Sequence, residues 1–185
     1  MRKIEDIVGM CDSLTREHQK RVSILSVRIG QQMALTPSQI ENIRIAGMLH
    51  DIGKTALPAE LLTKTEALNP FERTLIMNHP QVGYEMLMDL GLPINIIQST
   101  QQHHERVDGS GYPSNLMGNQ ILLEARVVSV ASVVDAMSCY RPYSPAPGID
   151  CALSEITRCR GTHYDPAVVD ACIRAFLYPM ETYAA

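Results

Sequence analysis

Two helix starts written in the same way do most to fix what this chain can fold into. In Thr36-Pro37-Ser38-Gln39 a threonine can cap, a proline takes the first helical position where no N–H is needed, and a glutamine completes a capping box. Asn69-Pro70-Phe71-Glu72 repeats the arrangement with asparagine as cap and glutamate in the glutamine's place. Behind the first signal, Ile40, Ile43, Ala46 and Leu49 recur at helical spacing and line one face. Pro93 and Pro166 mark two further starts. Pro80 is expected to end or kink the second capped helix just after His79.

One run resists an immediate assignment. Residues 125–137, ARVVSVASVVDAM, are rich in β-branched side chains, and periodicity alone does not separate a buried helix from a strand there. No partner strand is evident elsewhere, so the run is read as helix. The expected fold is all-α, a single-domain helical bundle of six to eight helices with a long loop over residues 105–120, where three glycines and a proline are too turn-rich for regular structure.

A chain of 185 residues is long enough for one well-packed core and too short for two large ones. The domain is expected to span 1–185, with its core over about 14–178 and residues 1–13 as an N-terminal helical segment. Tryptophan is absent and phenylalanine scarce, so Leu, Ile, Val, Met and Ala must build that core. The formal charge of −4 gives no basic field for a long polyanion, which argues against nucleic acid as partner. Five cysteines without a Cys-x-x-Cys pair fit neither a zinc ribbon nor a disulfide framework and point to a reduced, cytoplasmic setting. The start has no signal-peptide pattern, and no window approaches the apolar length of a membrane span.

The chemistry concentrates in histidines. Of the six, five stand beside expected helix ends or carboxylates: His18 in REHQKRV, His50 in HDIGK, His79 in NHP, and His103 with His104 in HHE. Any one alone reads as a core or surface residue; together they read as a metal site. A helix C-terminus carries partial negative charge, so His50 and Asp51, just ahead of Gly53, sit where a cation is favoured. Adjacent helical residues point about 100° apart, so His103 and His104 can serve one metal cluster only near a helix end, which the following loop supplies. Imidazole and carboxylate without thiolate suit iron, manganese, zinc, cobalt or nickel. Asp51 can bridge two ions, and such a pair activates water and clamps a phosphoryl group. Lys54, about a turn beyond His50, is placed to hold a phosphate oxygen or neutralise a leaving group. His163, in GTHYDP, has no such context and is read as structural.

The segments HDIGK, NHPQVGYEML, HHERVDGSGYP and YRPY closely resemble the HD-GYP family, bacterial phosphodiesterases of the HD superfamily that hydrolyse cyclic di-GMP. The likeness runs from about His18 to YDPAVVDA, nearly the whole chain. It implies an HD-type helical bundle with two divalent ions, iron or manganese first, and the products pGpG or GMP. Carried across by motif, the metal ligands are His18, His50, Asp51, His79, His103 and His104. Asp51 and Lys54 are then the catalytic pair, with Lys54 on the scissile phosphate, while Gly111, Tyr112, Pro113 and Arg141 face the nucleotide. Relatives often carry a receiver, a sensory unit or a GGDEF-type partner.

The chain departs from the family pattern at defined places. The late motif A-D-x-x-D-A reads ASVVDA, so Ser132 stands where the family has a ligand aspartate and Asp135 matches the second, non-ligand one. Leu14 stands where members with a third metal carry glutamate, Tyr140 replaces an aspartate before Arg141, and SPAPG follows where further basic residues are usual. Two other functions therefore stand beside the phosphodiesterase. One is a weakened module that binds nucleotide or protein as an adaptor; the other is an HD phosphohydrolase acting on another nucleotide.

Overall fold

The computed structural model describes residues 4–139 and 147–177. Among them there are ten α-helices and no strand, more helices than the six to eight expected. The excess comes from short pieces: α1 (Ile4–Val8), α4 (Ala59–Leu62), and the division of one expected helix into α5 (Pro70–Met77) and α6 (His79–Leu87). The longer elements are α2 (Ser13–Gln32), α3 (Pro37–Leu49), α7 (Ile94–Gln102), α8 (Leu123–Ser138), α9 (Ile149–Arg158) and α10 (Pro166–Leu177).

Both capping boxes form. Thr36 Oγ1 accepts from Gln39 N at 3.3 Å while Gln39 Oε1 accepts from Thr36 N at 3.0 Å. At the second, Asn69 Oδ1 and Glu72 Oε2 each accept at 2.9 Å from the other residue's backbone. Pro80 acts differently from expectation. The break lies at Asn78, the shared cap of α5 and α6, and Pro80 falls in the first turn of α6, where its missing N–H is harmless. Pro93 likewise sits at the cap of α7, one place ahead of the expected first helical position.

α2 is the spine, packed along α3, α8 and α10. Val22 and Ile29 of α2, Ile43 and Leu49 of α3, Val127 and Val130 of α8, and Val168 and Val169 of α10 are all fully buried in one apolar cluster. This resolves the β-branched run: α8 is a helix enclosed by neighbours, so it is apolar nearly all round rather than striped. Ile7 and Val8 of α1 and Cys11 beyond it join the same cluster. No described helix is long and apolar enough to cross a membrane.

The loop after α7 is closed by one antiparallel bridge, Asp108 with Met117. Val107 N and Asp108 N donate to the carbonyls of His163 and Thr162, at 3.2 and 3.0 Å, which docks the loop on the turn between α9 and α10.

Candidate metal centre

Helix ends converge on one point. His18 comes from the first half of α2, His50 caps α3, Asp51 follows it, His79 opens α6, and His103 with His104 closes α7. His18, His50, Asp51, His79 and His103 are all buried, 6% exposed or less. A 3₁₀ turn, Ile52–Ala56, carries Lys54. That turn lies against α6 so closely that a Cβ on Gly53 would come within 2.0 Å of the His79 carbonyl oxygen and 2.6 Å of Gly83 N. Only glycine lets the Asp51 segment reach His79.

Asp51 divides the cluster. Its Oδ2 faces His18 Nε2 at 3.7 Å, His50 Nε2 at 3.4 Å and the Lys54 ammonium at 2.6 Å. Its Oδ1 faces His79 Nε2 at 3.1 Å and His103 Nε2 at 3.8 Å. Two groups of donors with metal-ligand spacing result, one of Asp51, His79, His103 and His104, the other of His18, His50 and Asp51.

The protonation pattern is fixed by backbone carbonyls. His50 Nδ1, His79 Nδ1 and His103 Nδ1 lie 2.8, 2.6 and 2.7 Å from the carbonyl oxygens of Gly47, Ile76 and Thr100, in each case three residues earlier. A carbonyl can only accept, so each Nδ1 carries the proton. Burial pushes the His50 imidazole down to about 4 and holds His103 and His104 well below their usual value, so these rings are neutral. Two features bear on what the site can hold. His50 Nε2 is buried with no hydrogen-bond partner, and the Nε2 atoms of His79 and His103 lie 3.4 Å apart beside Asp51 Oδ1. Imidazole nitrogens converging on one carboxylate fit a divalent cation.

Burial works to raise the Asp51 pKa, but the Lys54 ammonium and the hydrogen bond with His79 outweigh it and hold the carboxyl well below the usual range. Asp51 is thus ionised.

The loop meets the centre at His104. Tyr112 stacks on that imidazole, the Tyr112–Pro113 peptide is cis, and Pro113 is exposed beside it. Gly111 is buried against Glu105, where a Cβ would meet the Glu105 Cα at 2.4 Å. Arg141 and Tyr140 lie outside the described residues. A cavity of about 330 Å³ adjoins the other side, lined by His18, Arg21, Asp51, Lys54, Leu14 and Leu62 among others.

Two buried acids escaped the sequence reading in these roles. Glu105, 2% exposed, accepts from Ser114 N at 2.7 Å and Leu116 N at 3.0 Å and so fastens the loop to His104's own segment. Asp135 binds His18 Nδ1 at 2.6 Å across 117 residues, while Ser132 places its hydroxyl 3.4 Å from His18 Nε2. Glu105 stood in plain view in the HHE motif; the Asp135 contact had no local signal.

A family model described as the HD domain matches residues 2–168. The chain belongs to the HD-domain family. Within this family it carries the HD-GYP pattern, and its curated relatives agree. The cyclic di-GMP phosphodiesterase response regulator RpfG of Xanthomonas campestris is 40% identical over 167 residues, covering 88% of this chain and 44% of the relative. A cyclic di-GMP phosphodiesterase of Thermotoga maritima is 36% identical over 165 residues, covering 88% of this chain and 45% of the relative. This HD domain therefore spans less than half the length of those two proteins. Among solved structures, an HDG"Y"P protein from Bdellovibrio bacteriovorus superposes with a TM-score of 0.72 at 21% identity, over 88% of this chain and 52% of that one. At that identity it shows the shared helical fold.

Proposed function

We propose that this HD domain is the hydrolytic unit of a metal-dependent cyclic di-GMP phosphodiesterase. The observation that carries the reading is the division of Asp51, whose two oxygens each face a separate set of imidazole nitrogens. The relatives named above act on cyclic di-GMP, which gives the substrate class. His18, His50 and Asp51 would hold one ion, and Asp51, His79, His103 and His104 the other, with iron or manganese preferred and zinc, cobalt or nickel admitted by the donor set. Bound there, such ions supply Lewis-acid activation of water and charge neutralisation at a phosphoryl oxygen.

The chain's own residues supply the rest. Lys54, 2.6 Å from Asp51 and lining the cavity, puts an ammonium where the phosphodiester must approach. Tyr112, fixed against His104, offers a face for a guanine, with Gly111 and Pro113 shaping its loop and Arg141 contributing charge to the nucleotide. Hydrolysis adds water across one P–O3′ bond of the cyclic dinucleotide; the phosphate stays on the 5′ side and the 3′ oxygen leaves with a proton, giving pGpG. A second cleavage gives GMP. Such a substrate fits a cytoplasmic signalling protein that works with a sensory, receiver or GGDEF-type partner.

Ser132 favours a second reading, a module that binds the dinucleotide without turning it over, because a neutral hydroxyl stands beside His18 where the family has a carboxylate.

The deciding experiment is incubation of the purified chain, loaded anaerobically with ferrous iron or manganese, with cyclic di-GMP and with other cyclic dinucleotides. The expected result is pGpG or GMP, abolished by chelator, by His50→Ala and by Asp51→Ala. Activity that survives both substitutions overturns the proposal, and tight binding without product selects the adaptor.

A further inference from the structure

We propose that Asp135 and Arg21 are positioning residues for His18, on the side of the centre where Ser132 stands. The proposal rests on the metal-dependent reading of the site.

Ser132 and Asp135 lie one turn apart on α8 and so face the same neighbour. They meet opposite nitrogens of one ring: Asp135 Oδ2 lies 2.6 Å from His18 Nδ1, and Ser132 Oγ lies 3.4 Å from His18 Nε2. An ionised carboxylate only accepts, so Nδ1 carries the proton and the Nε2 lone pair points toward Asp51 Oδ2, 3.7 Å away. His50, His79 and His103 are backed by neutral carbonyls. His18 is backed by a charge, and a carboxylate behind an imidazole raises the basicity of its far nitrogen and fixes the ring.

Asp135 is itself held. Arg21 Nε donates to Oδ1 at 2.7 Å and Nη2 to Oδ2 at 3.1 Å, a two-pronged grip that leaves the carboxylate little freedom to turn. Cys139 Sγ adds a contact to Oδ1 at 3.4 Å. The Asp135 side chain is 6% exposed and that of Arg21 43%, so the guanidinium anchors a buried carboxylate from the surface.

The centre is asymmetric. The His79 side offers four donors and the His18 side three, and Ser132 lies on the poorer side. The poorer side is also the one with the charge-backed imidazole. Asp135 thus brings a negative charge to bear, through His18, on the side with fewer donors. It follows that the two ions bind unequally, and that the affinity of the His18-side ion alone depends on Asp135.

The test is calorimetric titration of the metal-free chain with manganese, with bound metal counted by elemental analysis. His18→Ala marks which binding event belongs to the His18 side. Asp135→Asn is expected to weaken that event about 10–100-fold while the other moves by less than about twofold. Asp135→Glu should recover part of the loss. Arg21→Gln, a change at a half-exposed side chain, should weaken the same event by a smaller factor, and it decides the matter should Asp135→Asn fail to fold. Two events weakened equally, or both unchanged, overturn the proposal. Cyclic di-GMP hydrolysis by the loaded wild type separates the two readings. Normal hydrolysis with an Asp135→Asn titration like wild type sinks the positioning role and leaves the enzyme. The expected selective loss without any hydrolysis sinks the enzyme and leaves the positioning role.

Discussion

The ring of Tyr112 lies stacked on the imidazole of His104, centroids 4.7 Å apart and planes 17° from parallel. Tyr112 also lines a cleft of about 340 Å³ with Thr74, Leu75, Met77 and Asn78, so one residue touches both the metal centre and the space where a base can lie. Stacking of a base on an aromatic ring is worth about 1–3 kcal/mol, so Tyr112→Ala should raise KM for the cyclic dinucleotide about 5–150-fold. Tyr112→Phe should stay near wild type, and bound metal should be unchanged in both. Steady-state kinetics decide; equal damage from both changes would mean that the hydroxyl, not the ring face, matters.

Glu105 holds the loop by two backbone amides. Hydrogen bonds to a charged group are worth about 1.5–3 kcal/mol each, and Glu105→Gln turns one acceptor oxygen into a donor that faces an N–H. Amide hydrogen exchange at Ser114 and Leu116 should quicken about 10-fold or more with little loss of metal, since about 1.4 kcal/mol is tenfold in opening. Unchanged exchange would assign the loop's order to the Asp108–Met117 bridge instead.

Gly53→Ala should be among the most damaging single changes in the chain. The added carbon meets backbone on α6, not a side chain that can swing away. We expect a loss of about 3 kcal/mol or more in urea unfolding, together with loss of bound metal, because Asp51 must shift with it.

The metal-free protein should lose stability as pH falls from neutrality. Burial lowers the His50 pKa to about 4 and depresses those of His103 and His104. Above the ordinary histidine value of about 6.5 neither the folded nor the unfolded chain is protonated there. Below it the unfolded chain takes up protons that the fold refuses, so stability falls between about pH 6.5 and 4. Asp51, whose pKa is also depressed, contributes in the same sense over a lower window: its share is present above about pH 4 and is lost as pH falls further, through its folded value. Each ~1 kcal/mol lost lowers Tm by about 2–4 °C. A chelated sample with a Tm independent of pH across that window would show that the imidazoles are not dry. Saturating metal should raise Tm throughout.

Ser132→Asp restores an anion beside His18 Nε2. Metal affinity and hydrolytic rate should both rise, measured on the same anaerobic preparation. A rise in neither would show that the backing of His18 already suffices.

The helix starts were legible because a capping box is a contract between neighbours in sequence, and Thr36 with Gln39 and Asn69 with Glu72 keep it. The break between α5 and α6 was placed one residue late because Pro80 can close one helix or open the next, and the local chain does not say which. His50, Asp51, His79, His103 and His104 stand out in sequence because each lies at a helix end; that they share one carboxylate is visible only in space. The closeness of Gly53 to α6 and the grip of Arg21 on Asp135 depend on helices that meet far along the chain, where no spacing rule reaches.

The bond from the ring of His50, His79 and His103 back to a carbonyl three residues earlier is made within a single turn of chain. Each ring's orientation is therefore held by its own local segment, independently of the other helices. Metal uptake commonly expels protons from its ligands. Here burial holds His50 and His103 neutral at neutral pH, so filling the centre should release almost no acid from these two rings.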